Sequence, residues 1–204
     1  MLGKTHTAVG VATALVLLQP KTIPELVLGA GTAAIGSVIS DIDCSSSKSS
    51  KRATKIILAV EIIAVGMVLA EAIFHLGLYQ KLMNNSSAMR IFLALAVFFV
   101  ICVYGKKTQH RTFMHSLLSG ALLTGCVAVL LPALAPYFGT AFVSHLALDL
   151  LNYKGQQLLY PARKFFRLGL CTASGVVNQI LLVCGSIAAV GIAIRLLIRI
   201  VLHR

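Results

Sequence analysis

Long apolar runs constrain this chain more than any other feature. They cover about 56–78, 88–104, 112–135 and 176–202. A bilayer's hydrocarbon core is about 30 Å thick and takes about 20 helical residues to cross, with roughly 17 the practical minimum. All four runs qualify, the second narrowly. Shorter runs cover about 7–19, 25–39 and 138–152. A helix of about fifteen residues reaches only about 22 Å, so these predict half-spans, tilted helices or helices buried among the others. Strands are excluded because an open sheet edge leaves backbone groups unsatisfied in lipid. The expected fold class is all-α. It is a polytopic membrane helical bundle, with about four full spans plus shorter half-span or buried helices, forming a single integral membrane domain over 1–204.

Composition agrees. Hydrophobic residues make up 58% and charged residues 12% of the 204, against about 45–50% and about 25% in soluble domains. A water-soluble globule is excluded, and so is disorder, which needs the opposite bias. Lys and Arg number 18 against 6 Asp and Glu, a formal charge of +12. In a soluble protein that excess would point to nucleic acid. Between apolar runs it points instead to loops lying against anionic lipid head groups, and no nucleic-acid partner is expected. The five cysteines, at 44, 102, 126, 171 and 184, form no C-x-x-C and no disulfide framework. They read as small buried hydrophobes, with Cys44, beside two aspartates, set apart. The first apolar run follows Lys4 and His6 without a small-residue cleavage site. It is therefore expected to stay in the mature protein.

Charge also orients the chain. Cations cluster at 44–55, 105–111 and 152–167, whereas 83–87 is polar with few charges and 132–139 has none. If cations mark the cytoplasm, runs 56–78 and 88–104 form one hairpin, and 112–135 and 138–152 form another. The three basic loops then share the cytoplasmic face. Arg195, Arg199 and Arg204 conflict with this if 176–202 simply crosses.

An ionisable group in a membrane segment is a functional hypothesis by default. His6 sits in KTHTAVG at the mouth of the first run, and SDID at 40–43 directly follows the second. Asp41 and Asp43 do not share a helix face, but in a turn at a helix end both carboxylates can converge on a cation. In HRTFMHS, His110 and His115 are about 140° out of phase on a regular helix. A helix starting near Thr112 puts His110 in the loop and His115 in its first turns, with Arg111 between them as an anion clamp. In SHLALD, His145 and Asp149 are i,i+4 neighbours on one helix face. They are either a buried pair without metal, two ligands, or a ligand and the carboxylate that orients it. All seven of these His and Asp fall at ends of apolar helices, on one predicted face. The mixture suits one or more zinc-like divalent ions. Glu61, Glu71 and His75, inside 56–78, read as structural.

The ordered motifs THTAVG, GSVISDID, HRTFMHS and SHLALDLLNYKGQQLLYP resemble the YdjM-like family of LexA-regulated bacterial inner-membrane proteins, regarded as metal-dependent hydrolases. The resemblance runs from His6 to about Gln179. It implies metal residues at His6, Asp41, Asp43, His110, His115, His145 and Asp149, and a distant likeness to all-helical zinc phospholipases C and zinc single-strand nucleases. The chain departs from the family pattern at Ser40 in place of proline, Cys44 in place of histidine, and Thr112 and Met114 within the His–Arg motif. Gln179 stands where a glutamate often follows Gly175, which puts one metal position in question.

The expected function is hydrolysis of a phosphoester in a lipid or lipid-linked substrate at the cytoplasmic interface. A metal-activated water would attack, with Asp41 or Asp43 as ligand or base. Arg111 and the cations of 154–167 would hold the anion. The alternative is a non-enzymatic membrane protein with a structural or transport metal site. A transporter places its polar groups at mid-bilayer in broken helices, whereas these sit at helix mouths beside basic loops.

Overall fold

The computed structural model describes residues 1–44, 47–74 and 77–202. Among these described residues, eight α-helices follow in order. They are α1 (Gly3–Leu18), α2 (Ile23–Gly36), α3 (Lys48–Phe74), α4 (Leu78–Met83), α5 (Ser86–Lys107), α6 (Leu117–Leu130), α7 (Ala135–Leu150) and α8 (Val176–Leu202). Short 3-10 helices at Ile39–Asp43, Phe113–His115 and Pro132–Leu134 mark three of the junctions. Among the described residues there is no strand. Two isolated bridges, Asn152 with Cys171 and Gln156 with Phe166, tie down the loop between α7 and α8.

Local chemistry sets the helix ends. The Thr22 hydroxyl accepts from the Glu25 amide at 3.3 Å to start α2, with Pro24 in the first turn. Asn85 caps α5 through the Ala88 amide at 3.0 Å, and Ser116 caps α6 through the Ser119 amide at 3.2 Å. Each cap supplies an acceptor to an amide that has no helical partner. Lys106 and Lys107 close α5, where cations suit the negative end of the helix dipole.

Among the described residues, four segments are long and apolar enough to cross a membrane: Ile23–Asp43, Ser50–Phe74, Ser86–Lys107 and Val176–Leu202. The number agrees with the sequence expectation, but one member differs. The run at 112–135 is not a full span, because Thr112–Ser116 leaves helical geometry and Pro132 starts a new turn. That leaves α6 with 14 residues. The run at 25–39 gains length instead, because the 3-10 helix extends it to Asp43.

Helix α7 lies at the centre, packed against α1, α2 and α6. It contributes to both apolar clusters. One is built around Met114, Leu123, Phe138 and Phe142, the other around Leu15, Ala33, Tyr137 and Ala141. Lipid tails are as apolar as leucine, so close packing rather than water exclusion holds such helices together. Two glycines show it. A Cβ on Gly10 would lie 2.7 Å from the Ser37 Cβ, and one on Gly36 would lie 2.5 Å from the Phe138 carbonyl oxygen. Helix α3 packs mainly against the Ile39–Asp43 turn and α5, and its described large apolar side chains, such as Ile56, Leu58, Ile62 and Leu69, are exposed. His75, expected to pair with Glu71, lies outside the described residues, as does His203.

Helix α8 runs parallel to α1. At one end Asn178 accepts from the Leu2 amide and the Thr5 hydroxyl, at 3.1 and 2.9 Å. At the other, Arg199 donates to Gln19 Oε1 at 3.1 Å. The C-terminal arginines of α8 therefore sit at the end of the bundle away from His6.

Candidate metal centre

Five segment ends meet at one end of the bundle. His6 comes from the first turn of α1, and Asp41 and Asp43 from the 3-10 helix after α2. His110 and His115 flank the break between α5 and α6. His145 and Asp149 are one turn apart at the end of α7. In a 3-10 helix with three residues per turn, positions i and i+2 point about 120° apart. Asp41 accordingly faces His145 and Asp43 faces His110.

The inner group contains His6, Asp41, His115, His145 and Asp149. The Nδ1 of His145 lies 2.7 Å from the Ser37 carbonyl oxygen. Only an N–H can face a carbonyl, so the proton is on Nδ1 and the Nε2 lone pair points into the cluster. The Nδ1 of His115 lies 3.2 Å from Asp43 Oδ2, which orients that ring in the same sense. The two Nε2 atoms are 3.4 Å apart. Asp41 Oδ1 lies 3.7 Å from His115 Nε2 and 3.8 Å from His145 Nε2, and Asp149 Oδ2 lies 3.6 Å from His115 Nε2. The His6 ring stacks on His145 with centroids 3.9 Å apart. His6 Nε2 comes within 3.2 Å of Asp149 Oδ1, and neither buried ring nitrogen of His6 makes a hydrogen bond within the protein.

These residues fit a divalent metal. Bonds of about 2.0–2.1 Å around a tetrahedral zinc place the ligand atoms about 3.4 Å from one another, close to the separations here. Unpartnered imidazole nitrogens beside carboxylates are also the mixed donor set that zinc accepts. Three overlapping groups satisfy the spacing: His6, Asp41 and His145; Asp43, His110 and His115; and His115, His145 and Asp149. Burial alone would depress the His115 imidazole, but the Asp41 and Asp43 carboxylates push it up to about 9.

Asp43 stands behind the inner group. Its Oδ1 meets His110 Nδ1 at 2.8 Å, and its Oδ2 accepts from the Arg111 amide at 3.1 Å as well as facing His115. A carboxylate so placed fixes ring orientation and raises ligand basicity. Arg111 has a different task from the expected anion clamp. Its guanidinium is buried, with one nitrogen 3.0 Å from Asp149 Oδ2 and another donating to the Lys154 carbonyl. Its backbone has φ +69, the left-handed region unfavourable to a side chain. Asp43 on its amide and the Gln157 amide on its carbonyl (2.9 Å) hold it there. Asp149 Oδ1 is also occupied, by Asn152 Nδ2 at 2.8 Å and the Met1 amino group at 2.5 Å.

All seven residues expected as ligands thus converge. Gln179 does not join them: it is exposed on α8, while Asn178 beside it is fully buried. A polar residue in an apolar helix was the available signal for Asn178. Nothing in the sequence marks the Ser37 carbonyl, since any residue carries one. Of the cysteines, Cys184 is exposed and Cys44 half-buried, while the other three are buried as expected.

The fold and these helix ends define a polytopic integral membrane protein with a His/Asp cluster at one end of its bundle. The chain belongs to the YdjM inner membrane protein family, whose model matches residues 1–203. Neither the curated proteins nor the solved structures compared with it contain a match.

Proposed function

We propose that this chain is a membrane-bound hydrolase with a zinc-like cofactor, cleaving a phosphoester of a lipid or lipid-linked substrate at the cytoplasmic interface. The observation that carries the metal is the pair of Nε2 atoms of His115 and His145, 3.4 Å apart on rings oriented by Asp43 and Ser37. His6, Asp41 and Asp149 complete the donor set. A divalent ion held there would lower the pKa of a bound water toward about 7 and neutralise phosphate oxygens.

The chain's own residues divide the remaining work. Asp41, at 15% side-chain exposure, is the inner carboxylate open to the surface and is placed to accept a proton from water at its Oδ atoms. His110, at 38%, shares that mouth. Arg111 fixes Asp149, so holding a substrate anion falls to Lys154, Arg163, Lys164 and Arg167 of the loop after α7. The choice of a phosphoester rests on that cationic loop and on the motif resemblance. The cytoplasmic side follows from charge: twelve of the 18 Lys and Arg lie in segments at the site's end of the bundle, the side that the positive-inside rule keeps in the cytoplasm.

A structural or transport metal is the second reading, favoured by the complete burial of His6, His115 and His145. Two measurements separate the readings. Metal analysis of the purified protein, with and without chelator, is followed by assays of the loaded protein in lipid against phospholipids and a generic phosphodiester. Turnover that falls by orders of magnitude in Asp41→Ala supports the enzyme. Bound zinc without turnover supports the second reading, and absence of tightly bound metal removes both.

A further inference from the structure

A groove of about 750 Å³ opens between α5 and α6 at the end of the bundle opposite the His/Asp cluster. Near the cluster Gly105 of α5 abuts Met114 in the turn before α6, and the groove lies farther along, between the Ser86–Val97 part of α5 and the Ala121–Val129 part of α6. Ala94, Ala121 and Gly125 are the small residues of its lining, which Met83 of α4 joins. A Cβ added to Gly125 would meet nothing within 4 Å, so the space is not filled by the protein. The lining is apolar except for Ser86 and Arg90.

Arg90 gives the groove its chemistry. It is exposed, and among the described residues no acid forms an ion pair with it. It lies four positions into α5, about 6 Å from the helix start, the depth at which an arginine reaches up to a head group from an apolar flank. A planar guanidinium pairs with phosphate oxygens through two parallel hydrogen bonds. We infer that this groove binds one phospholipid of the leaflet opposite the cluster, with its phosphate on Arg90 and one acyl chain between α5 and α6. Burying an acyl chain gains little over leaving it in the bilayer. Selectivity therefore comes from the arginine–phosphate contact, and residence from the fit of the chain against Ala121 and Gly125.

The test uses the full chain, purified in detergent and offered phosphatidylglycerol or a diacylglycerol with the same acyl chains, with retained lipid counted by native mass spectrometry. The unaltered protein should keep one phosphatidylglycerol and no diacylglycerol. Arg90→Gln, a change at an exposed position, should lower retention at least tenfold. Gly125→Leu should abolish it by filling the groove. Gly191→Leu, on α8 and also facing open space, should retain lipid normally. Equal retention of the two lipids by the unaltered protein would overturn the inference. So would retention by Arg90→Gln and Gly125→Leu matching that of Gly191→Leu.

Discussion

The Nε2 atoms of His115 and His145 lie 3.4 Å apart, each on a ring whose Nδ1 already faces an oxygen acceptor. Two imidazoles approach in this way only around something they share, a proton or a cation. Asp41 and Asp149 bring negative charge to the same point.

Metal content should follow that geometry residue by residue. His115→Ala and His145→Ala should each lose most of the bound zinc, because each removes a donor from a buried site. Asp43→Asn keeps the donors but weakens the orientation of His115, and should cost about 10–100-fold in affinity. His110→Ala, at the half-exposed mouth, should cost least. Zinc titration with a competing chelator measures all four. Loss of metal from His110→Ala but not from His145→Ala would put the centre in the wrong place.

Stability of the chelator-treated protein should depend on pH through His115. Its folded-state value of about 9 is raised above the ordinary 6.5. The stabilisation is therefore fully present below about pH 6.5 and is lost as pH rises through about 9. The shift corresponds to roughly 3 kcal/mol at most, so thermal stability in detergent should fall visibly across that window. Zinc replaces the proton, and the loaded protein should lack the decline. A flat profile without metal would mean that His115 is not held protonated by Asp41 and Asp43.

The elements that the sequence disclosed are those encoded locally. His145 and Asp149 are one helical turn apart, and any α7 places them together. The basic loop at 105–111, which carries His110, interrupts an apolar stretch and so announced itself. What stayed hidden depends on distant partners. Hydropathy does not reveal that Thr112–Ser116 leaves helical geometry, because that turn is held by residues such as Leu158, whose carbonyl accepts from the Leu117 amide at 2.9 Å. The stacking of His6 on His145 depends on how closely α1 approaches α7. Arg111 read as a free cation because nothing near it in sequence shows that Asp149, 38 positions away, would take its guanidinium.

That ion pair makes its own prediction. Arg111→Lys keeps the charge but loses the planar fork that serves Asp149 and the Lys154 carbonyl together. It should lower zinc affinity while leaving the fold intact. Arg111→Gly relieves the left-handed backbone at φ +69 but leaves Asp149 without its buried cation, and should lower zinc affinity further. If both variants bound zinc normally and lost only turnover, Arg111 would be acting on substrate, as the sequence alone suggested.

The packing of α8 along α1 fixes a topological outcome that charge counting left in conflict. Arg199 reaches Gln19 and the Pro20 carbonyl at the far end of α1, while Asn178 meets Leu2 and Thr5 at the near end. The C-terminal end of α8 must therefore lie across the membrane from the His/Asp cluster, despite its arginines. In the proposed orientation the three basic loops outweigh it. Single cysteines introduced at Ser47, Asn85 and Leu202 on a cysteine-free background should report this with an impermeant thiol reagent. Ser47 lies beside the cluster, its hydroxyl donating to the Asp41 carbonyl at 2.6 Å, and should be protected from outside in intact cells. Asn85, one crossing away through α3, and Leu202, one crossing away through α8, should both be labelled. Labelling of Ser47 and Leu202 from the same side would contradict the parallel arrangement of α1 and α8. Labelling of Ser47 alone would keep the arrangement but turn the cluster to face outward.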